Sequence, residues 1–202
     1  MCVVFCGVSS QILAARTGWH PVQMRLLNEP DPQVRTLAAT AQAEYKSEKL
    51  RAYVFFFGVQ GKRAPGYPDF GIFVEHMEDV LPKSEVEKFE GPDMSRAAIR
   101  YDAIDLSIKR SEYKTSTSTR LLYSSGLTFD TGLETYGFFQ TNLRDSKKAT
   151  LAWRQFLDEM SRGFDEGEAV VGGNVFSHKL VVRFTGGGLG TQLKELMDYC
   201  SK

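Results

Sequence analysis

The residues of this chain whose types and spacing could do chemistry are four glycines, three histidines and three cysteines. Gly186, Gly187, Gly188 and Gly190 stand between the apolar run LVVRF and an amphipathic stretch that begins with Thr191 and contains Lys194. A strand, a glycine turn and a helix in that order leave backbone N–H groups free at the helix N-terminus, where they can hold a phosphate or another anion. A phosphate- or nucleotide-handling enzyme is therefore one reading of the turn. The dinucleotide fingerprint requires glycine at the first, third and sixth positions and a second strand carrying an acidic residue. Gly186 and Gly188 fit, Thr191 holds the sixth position, and no such strand follows in the sequence. The P-loop requires Lys and then Ser or Thr after its last glycine, whereas Gly190 is followed by Thr191 and Gln192. The competing reading, which we retain as the expectation, is that the glycines turn the chain so that Leu193, Leu196, Met197 and Cys200 pack on a sheet.

Over the six residues Gly186 to Thr191 the turn also resembles the glycine box of tubulin-like GTPases, with its strand, glycine run, Gly-Thr pair and helix. The likeness extends no further. The histidines, His20, His76 and His178, are far apart. His76 follows Glu75 and, on a helix, would lie one turn from Asp79, and a carboxylate beside an imidazole is the raw material of acid–base and metal chemistry. The stretch EHMED also interleaves with an apolar stripe as a solvated helix face does. His20, between Trp19 and Pro21, reads as a turn, and His178 falls in a strand pattern. No G-x-S-x-G elbow, HExxH or paired CxxC occurs. No catalytic residue, metal ligand or cofactor is assigned, and an enzyme is not the favoured reading.

Cys2, Cys6 and Cys200 suit a reducing, intracellular compartment. On a strand Cys2 and Cys6 would stand roughly 13 Å apart, too far for a disulfide. Two sharper readings compete at the N-terminus. Its first 28 residues hold Arg16, Arg25, hydroxyl side chains and no acid, the bias of an organelle transit peptide. Alternatively, Cys2 and Cys6 carry acyl chains. The plain expectation is that CVVFCGV forms a buried strand.

Charge is balanced at 25 basic and 25 acidic residues, so a nucleic-acid partner would need a local patch. Two clusters qualify: Lys109, Arg110, Lys114 and Arg120, and Arg144, Lys147, Lys148 and Arg154. Brought together they would track phosphates. Glu112, Asp145 and Asp158 lie within or beside them, and a mixed-charge solvated face is the simpler reading. A third candidate is the loop QGKRAPGYPD and the residue after it, where Arg63, Tyr67 and Phe70 could meet a partner.

These residues must be positioned by elements, and the periodicities propose the following. PDPQVRTLAATAQAEYKSEKL predicts a helix, started by Asp31 and Pro32, with Val34, Leu37, Ala38, Ala41 and Tyr45 on one side. AYVFFFGV predicts a strand buried on both faces. FGIFVEHMEDVL predicts a second helix with Phe73, Met77, Val80 and Leu81 on one stripe, followed by a turn capped by Ser84 and Glu87. AIDLSIKR predicts a strand, with turns at SSG and DTG dividing a meander. Residues 146–162 predict a helix capped by Asp145, with Ala149, Trp153, Phe156, Leu157 and Met160 on one face. EAVVGGNVFSHKLVVRF predicts a hairpin, and the last helix follows the glycines.

The expected fold is α+β: a mainly antiparallel sheet of meander and hairpins with about four helices packed on one face. Residues 1–202 form one compact unit, with Gly91–Ser95 the candidate joint between subdomains 1–91 and 92–202. No run approaches the roughly 20 apolar residues of a spanning helix. The leading functional expectation is a non-enzymatic binding or assembly module for a protein or apolar partner, self-association included. Nucleic-acid binding and anion handling are the alternatives.

Overall fold

Two-residue alternation sets the strands. The computed structural model describes residues 18–22, 25–26, 29–30, 34–60, 66–76, 79–81, 100–112, 115–130, 134–141, 147–172 and 178–202. In it β4 (Val34–Tyr45) and β5 (Glu48–Val59) form a hairpin with Leu37 opposite Phe56, Ala39 opposite Val54 and Ala41 opposite Ala52. All of these face one apolar core. β6 (Asp69–Val74) extends that face with Phe70, Ile72 and Val74, and β7 (Arg100–Arg110) with Ile104, Leu106 and Ile108. β10 (Glu166–Gly172) adds Ala169 and Val171, and β11 (Leu180–Thr185) adds Leu180, Val182 and Phe184. Between them in the sheet lie β8 (Thr115–Asp130) and β9 (Glu134–Thr141).

The sheet closes on itself. Its hydrogen-bonded order runs β4, β5, β6, β9, β8, β7, β10, β11 and back to β4, every pair antiparallel. Each of these eight strands therefore has two neighbours, so the ring closes with no strand left at an edge. A ninth strand, β1 (His20–Val22), lies along β4 beside the end of β11, while β2 (Arg25–Leu26) and β3 (Glu29–Pro30) pair with each other. The arc β4–β6 meets the arc β7–β11 at two seams, β6 on β9 and β11 on β4.

Among the described residues there are two helices, not four: α1 (Lys147–Ser161) and α2 (Leu189–Cys200). Both cover the same mouth of the ring. The Trp153 indole N–H donates to the Pro68 carbonyl at the start of β6, and α2 leaves the end of β11 to cross the end of β5. At that crossing a Cβ on Gly58 would come within 2.3 Å of Cys200 Sγ, so glycine sets the close approach. Trp153, Phe156, Leu157 and Met160 enter the core from α1, and Leu189, Leu193, Leu196 and Cys200 from α2, as their spacing predicts.

The helix expected over Pro30–Leu50 is not formed: Val34–Tyr45 is strand β4, and Glu48 already opens β5. Val34, Leu37, Ala38, Ala41 and Tyr45 fit a helical stripe, but Leu37, Ala39, Ala41, Ala43 and Tyr45 also alternate, and the second pattern is the one that is formed. Alanine serves here as a small inward side chain, not as a helix former, and tertiary packing overrides its propensity. The second expected helix likewise opens as β6, with Phe70, Ile72 and Val74 inward and Phe73 on the outer face. SSG makes no turn, for Ser124, Ser125 and Gly126 lie inside β8. The hairpin over β10 and β11 forms as expected, with Ala169 opposite Val182. The CVVFCGV strand, Cys2 and Cys6, Met77, the Ser84 cap, the Gly91–Ser95 joint and Asp145 fall outside the described residues.

Candidate functional site

The glycine turn is built for close packing. A Cβ on Gly186 would lie 2.2 Å from the Phe164 carbonyl oxygen, and one on Gly190 2.9 Å from the Ser161 carbonyl oxygen, where α2 meets the end of α1. Gly188 takes φ 79°, the left-handed conformation that lets the chain enter α2, and supplies no side-chain cap. The Leu189 N–H instead donates to the Gly186 carbonyl at 3.0 Å. Gln192, one turn on, donates through Nε2 to both the Gly188 and Trp19 carbonyls at 3.0 Å. Gly187, Gly188, Thr191 and Lys194 remain exposed. The turn thus docks Leu193, Leu196 and Cys200 in the core, with Met197 packed against it.

The described members of the two basic clusters lie on different elements. Arg110, at the end of β7, donates through Nε to the Gly163 carbonyl at 2.7 Å and through Nη1 to Glu159 at 3.0 Å. Its Nη2 reaches the Glu159 carbonyl. It therefore neutralises and caps the C-terminal end of α1. Lys109 pairs across the sheet with Glu166 at 3.9 Å, both exposed. Lys147 and Lys148 open α1 at its other end, roughly 18 Å from the Arg110 clamp at a helical rise of about 1.5 Å per residue. Arg120 lies in β8, in register with Asp105. Arg154 stands over the Tyr67 ring at 5.6 Å. Lys114 and Arg144 lie outside the described residues.

Of the aromatic loop, Tyr67 is 5% exposed and Phe70 is fully buried, so both serve the core, while Arg63 is outside the described residues. Their burial follows from Trp153, which bonds Pro68 between them. Tyr67 adds a hydroxyl contact to Thr150 at 3.4 Å.

Among the described residues, one buried polar cluster is marked by no catalytic or metal motif in the sequence. On the outer face of β5 and β6, the Tyr53 hydroxyl donates to Glu75 Oε1 at 3.2 Å, and Arg51 Nε stands 3.8 Å from Glu75 Oε2. Tyr53 is 1% and Glu75 5% exposed. Burial, reinforced by the Glu75 carboxylate, holds the Tyr53 phenol above its usual range. Around them lies a second apolar cluster of Ala38, Phe55 and Phe57, with Val22 and Phe73 against it. The polar cluster's one trace in the sequence is the EH pair at 75–76, and a helical period gives Glu75 the wrong neighbours. In the structure His76 leaves the strand at φ 56°, exposed, and its carbonyl accepts from the Asp79 N–H at 3.2 Å. His76 itself is not helical. His20 lies buried in β1, not in a turn, and His178 lies exposed just before β11 with its ring 6.0 Å from that of Tyr45.

Chemically, Tyr53, Glu75 and Arg51 form a buried acid held by a phenol and a guanidinium, an arrangement that ties the end of β6 to β5. Among the described residues no group of three or more His, Cys, Asp and Glu side chains is gathered to hold a metal ion. No protein-family model, curated protein or solved structure matches the chain.

Proposed function

We propose that this chain is a non-enzymatic binding or assembly module that meets a protein partner through its outer surface. The observation that carries this reading is the filling of the interior along the described strands. Ala43, Ala52, Ile104, Leu106, Ala169, Val171, Leu180 and Val182, spread over five strands of the ring, have no exposed surface at all. Eight-stranded barrels either fill with side chains or hold one small ligand, and along these strands the filling is complete. Binding then falls to the exterior. The polar clusters support the same reading, since Arg110, Gln192 and Glu75 are engaged in joining elements.

The test is native mass spectrometry of the purified full chain, joined to a thermal-shift panel of nucleotides and phosphates. The expected result is an assembly heavier than the 22.7 kDa chain, or a protein-mass adduct, with a flat panel. A monomer stabilised by a nucleotide or phosphate would transfer the assignment to anion handling at Gly186–Thr191.

A further inference from the structure

β4 offers one edge to two strands laid end to end. β11 takes Gln42 to Tyr45, while β1 takes Thr36 to Ala38. β11 continues to Phe184 and Thr185, but there it pairs only with β10. The seam between β4 and β11 therefore opens towards the helix-covered mouth, and Trp19 fills the opening. Its ring stands 5.3 Å from Phe56 and 6.1 Å from Phe184. Its indole N–H donates to the Thr185 carbonyl at 2.7 Å, and its own carbonyl accepts from Gln192 of α2.

The hold of β1 is nonetheless slight. It is three residues long, and Pro21, opposite Leu37, brings no N–H to either edge. Gly18, just before it, sits at φ 85°. His20 is 7% exposed, on the face it shares with Ala38; its Nδ1 bonds the Gly18 carbonyl at 3.1 Å and its Nε2 meets no partner. A buried polar atom left unpaired weakens the element that carries it.

We infer that β1 is a strap over the β4–β11 seam, anchored by Trp19 and loosened by His20, which releases while the rest of the ring stays closed. Release bares the backbone edge of β4 at residues 36–38 and a slot between Phe56 and Phe184. Whether the chain binds a protein partner has no bearing on this inference.

Residue-resolved hydrogen exchange on the full chain under native conditions tests it. The β4 amides bonded to β1 are expected to exchange at least about a hundredfold faster than the amides of Ile104 and Leu106 in β7. His20→Leu, which removes the unpaired nitrogen, should slow them about tenfold. Trp19→Ala should speed them further and leave β7 protected. Equal protection of the β1-paired and β7 amides overturns the inference, and so does exchange that His20→Leu leaves unchanged. The His20→Leu arm keeps the test decisive if Trp19→Ala does not fold.

Discussion

Gly186 and Gly187 are neighbours with opposite tolerances. The Phe164 carbonyl and ring crowd any side chain at 186, whereas a Cβ at 187 meets nothing within 4 Å. Gly186→Ala should therefore cost about 2–3 kcal/mol in denaturant unfolding, while Gly187→Ala stays within about 0.5 kcal/mol of the parent. A protein that accepts the first change and loses stability with the second contradicts the packing role. The glycine run itself was legible in the sequence; which of its members are crowded was not, because Ser161 ends α1 and Phe164 lies in the loop after it. The β4–β5 turn breaks a local rule more openly. Lys46 and Ser47 sit at φ 50° and 70°, as a two-residue hairpin turn of the mirror-image type demands, yet neither is Gly or Asn. Replacing the pair with Asn-Gly should raise stability by about 1–2 kcal/mol, read from the denaturation midpoint at constant m-value. Cys200 gives a pH dependence. Burial, with Asp69 nearby, pushes its thiol from 9.0 up to about 12. The folded chain keeps this proton where the unfolded chain releases it, so the contribution is whole below pH 9 and is lost as pH rises from 9 towards 12. Cys200→Ala should flatten that part of the stability–pH curve, measured by urea unfolding from pH 8 upward, and an unchanged slope would assign the loss to Tyr53 or other groups.

At the scale of elements, what could be read depended on how many faces each one buries. α1 and α2 bury a single stripe, and the 3.6-residue spacing of Trp153, Phe156, Leu157 and Met160 reported it faithfully. β5 buries both faces and was legible from its unbroken VFFF run. β4 is ambiguous in sequence because its inward alanines satisfy either period, and the space they leave is needed only once the aromatic rings of β5, β6 and α1 are in place. The Arg110 clamp could not be foreseen, since its partners lie about fifty residues away in sequence. It ties the end of β7 to the last carbonyls of α1. Arg110→Ala should cost about 2 kcal/mol, and Arg110→Lys should recover less than half of that, because a single ammonium cannot serve three acceptors in a fork. Full rescue by lysine would reduce the clamp to a simple charge.

For the whole molecule, α+β architecture and antiparallel pairing were within reach of the sequence, whereas closure was not. Nothing in the local pattern of β6 or β11 names β9 or β4 as a neighbour. Because the arcs β4–β6 and β7–β11 complete each other at both seams, neither arc has a core without the other. Thermal or urea unfolding should accordingly show one transition, with far-ultraviolet circular dichroism coinciding with the fluorescence of Trp19 and Trp153. Two resolved transitions would mean that the arcs stand alone. Closure also has a consequence for synthesis on the ribosome. β4 emerges from the exit tunnel with β5 at hand, but its other long neighbour, β11, is translated more than a hundred residues later, a wait on the order of ten seconds. Throughout that interval the nascent chain displays the flank of β4 from Gln42 to Tyr45 unmated, and a chaperone that shields it would act on the unfinished polypeptide and have no purchase on the finished one.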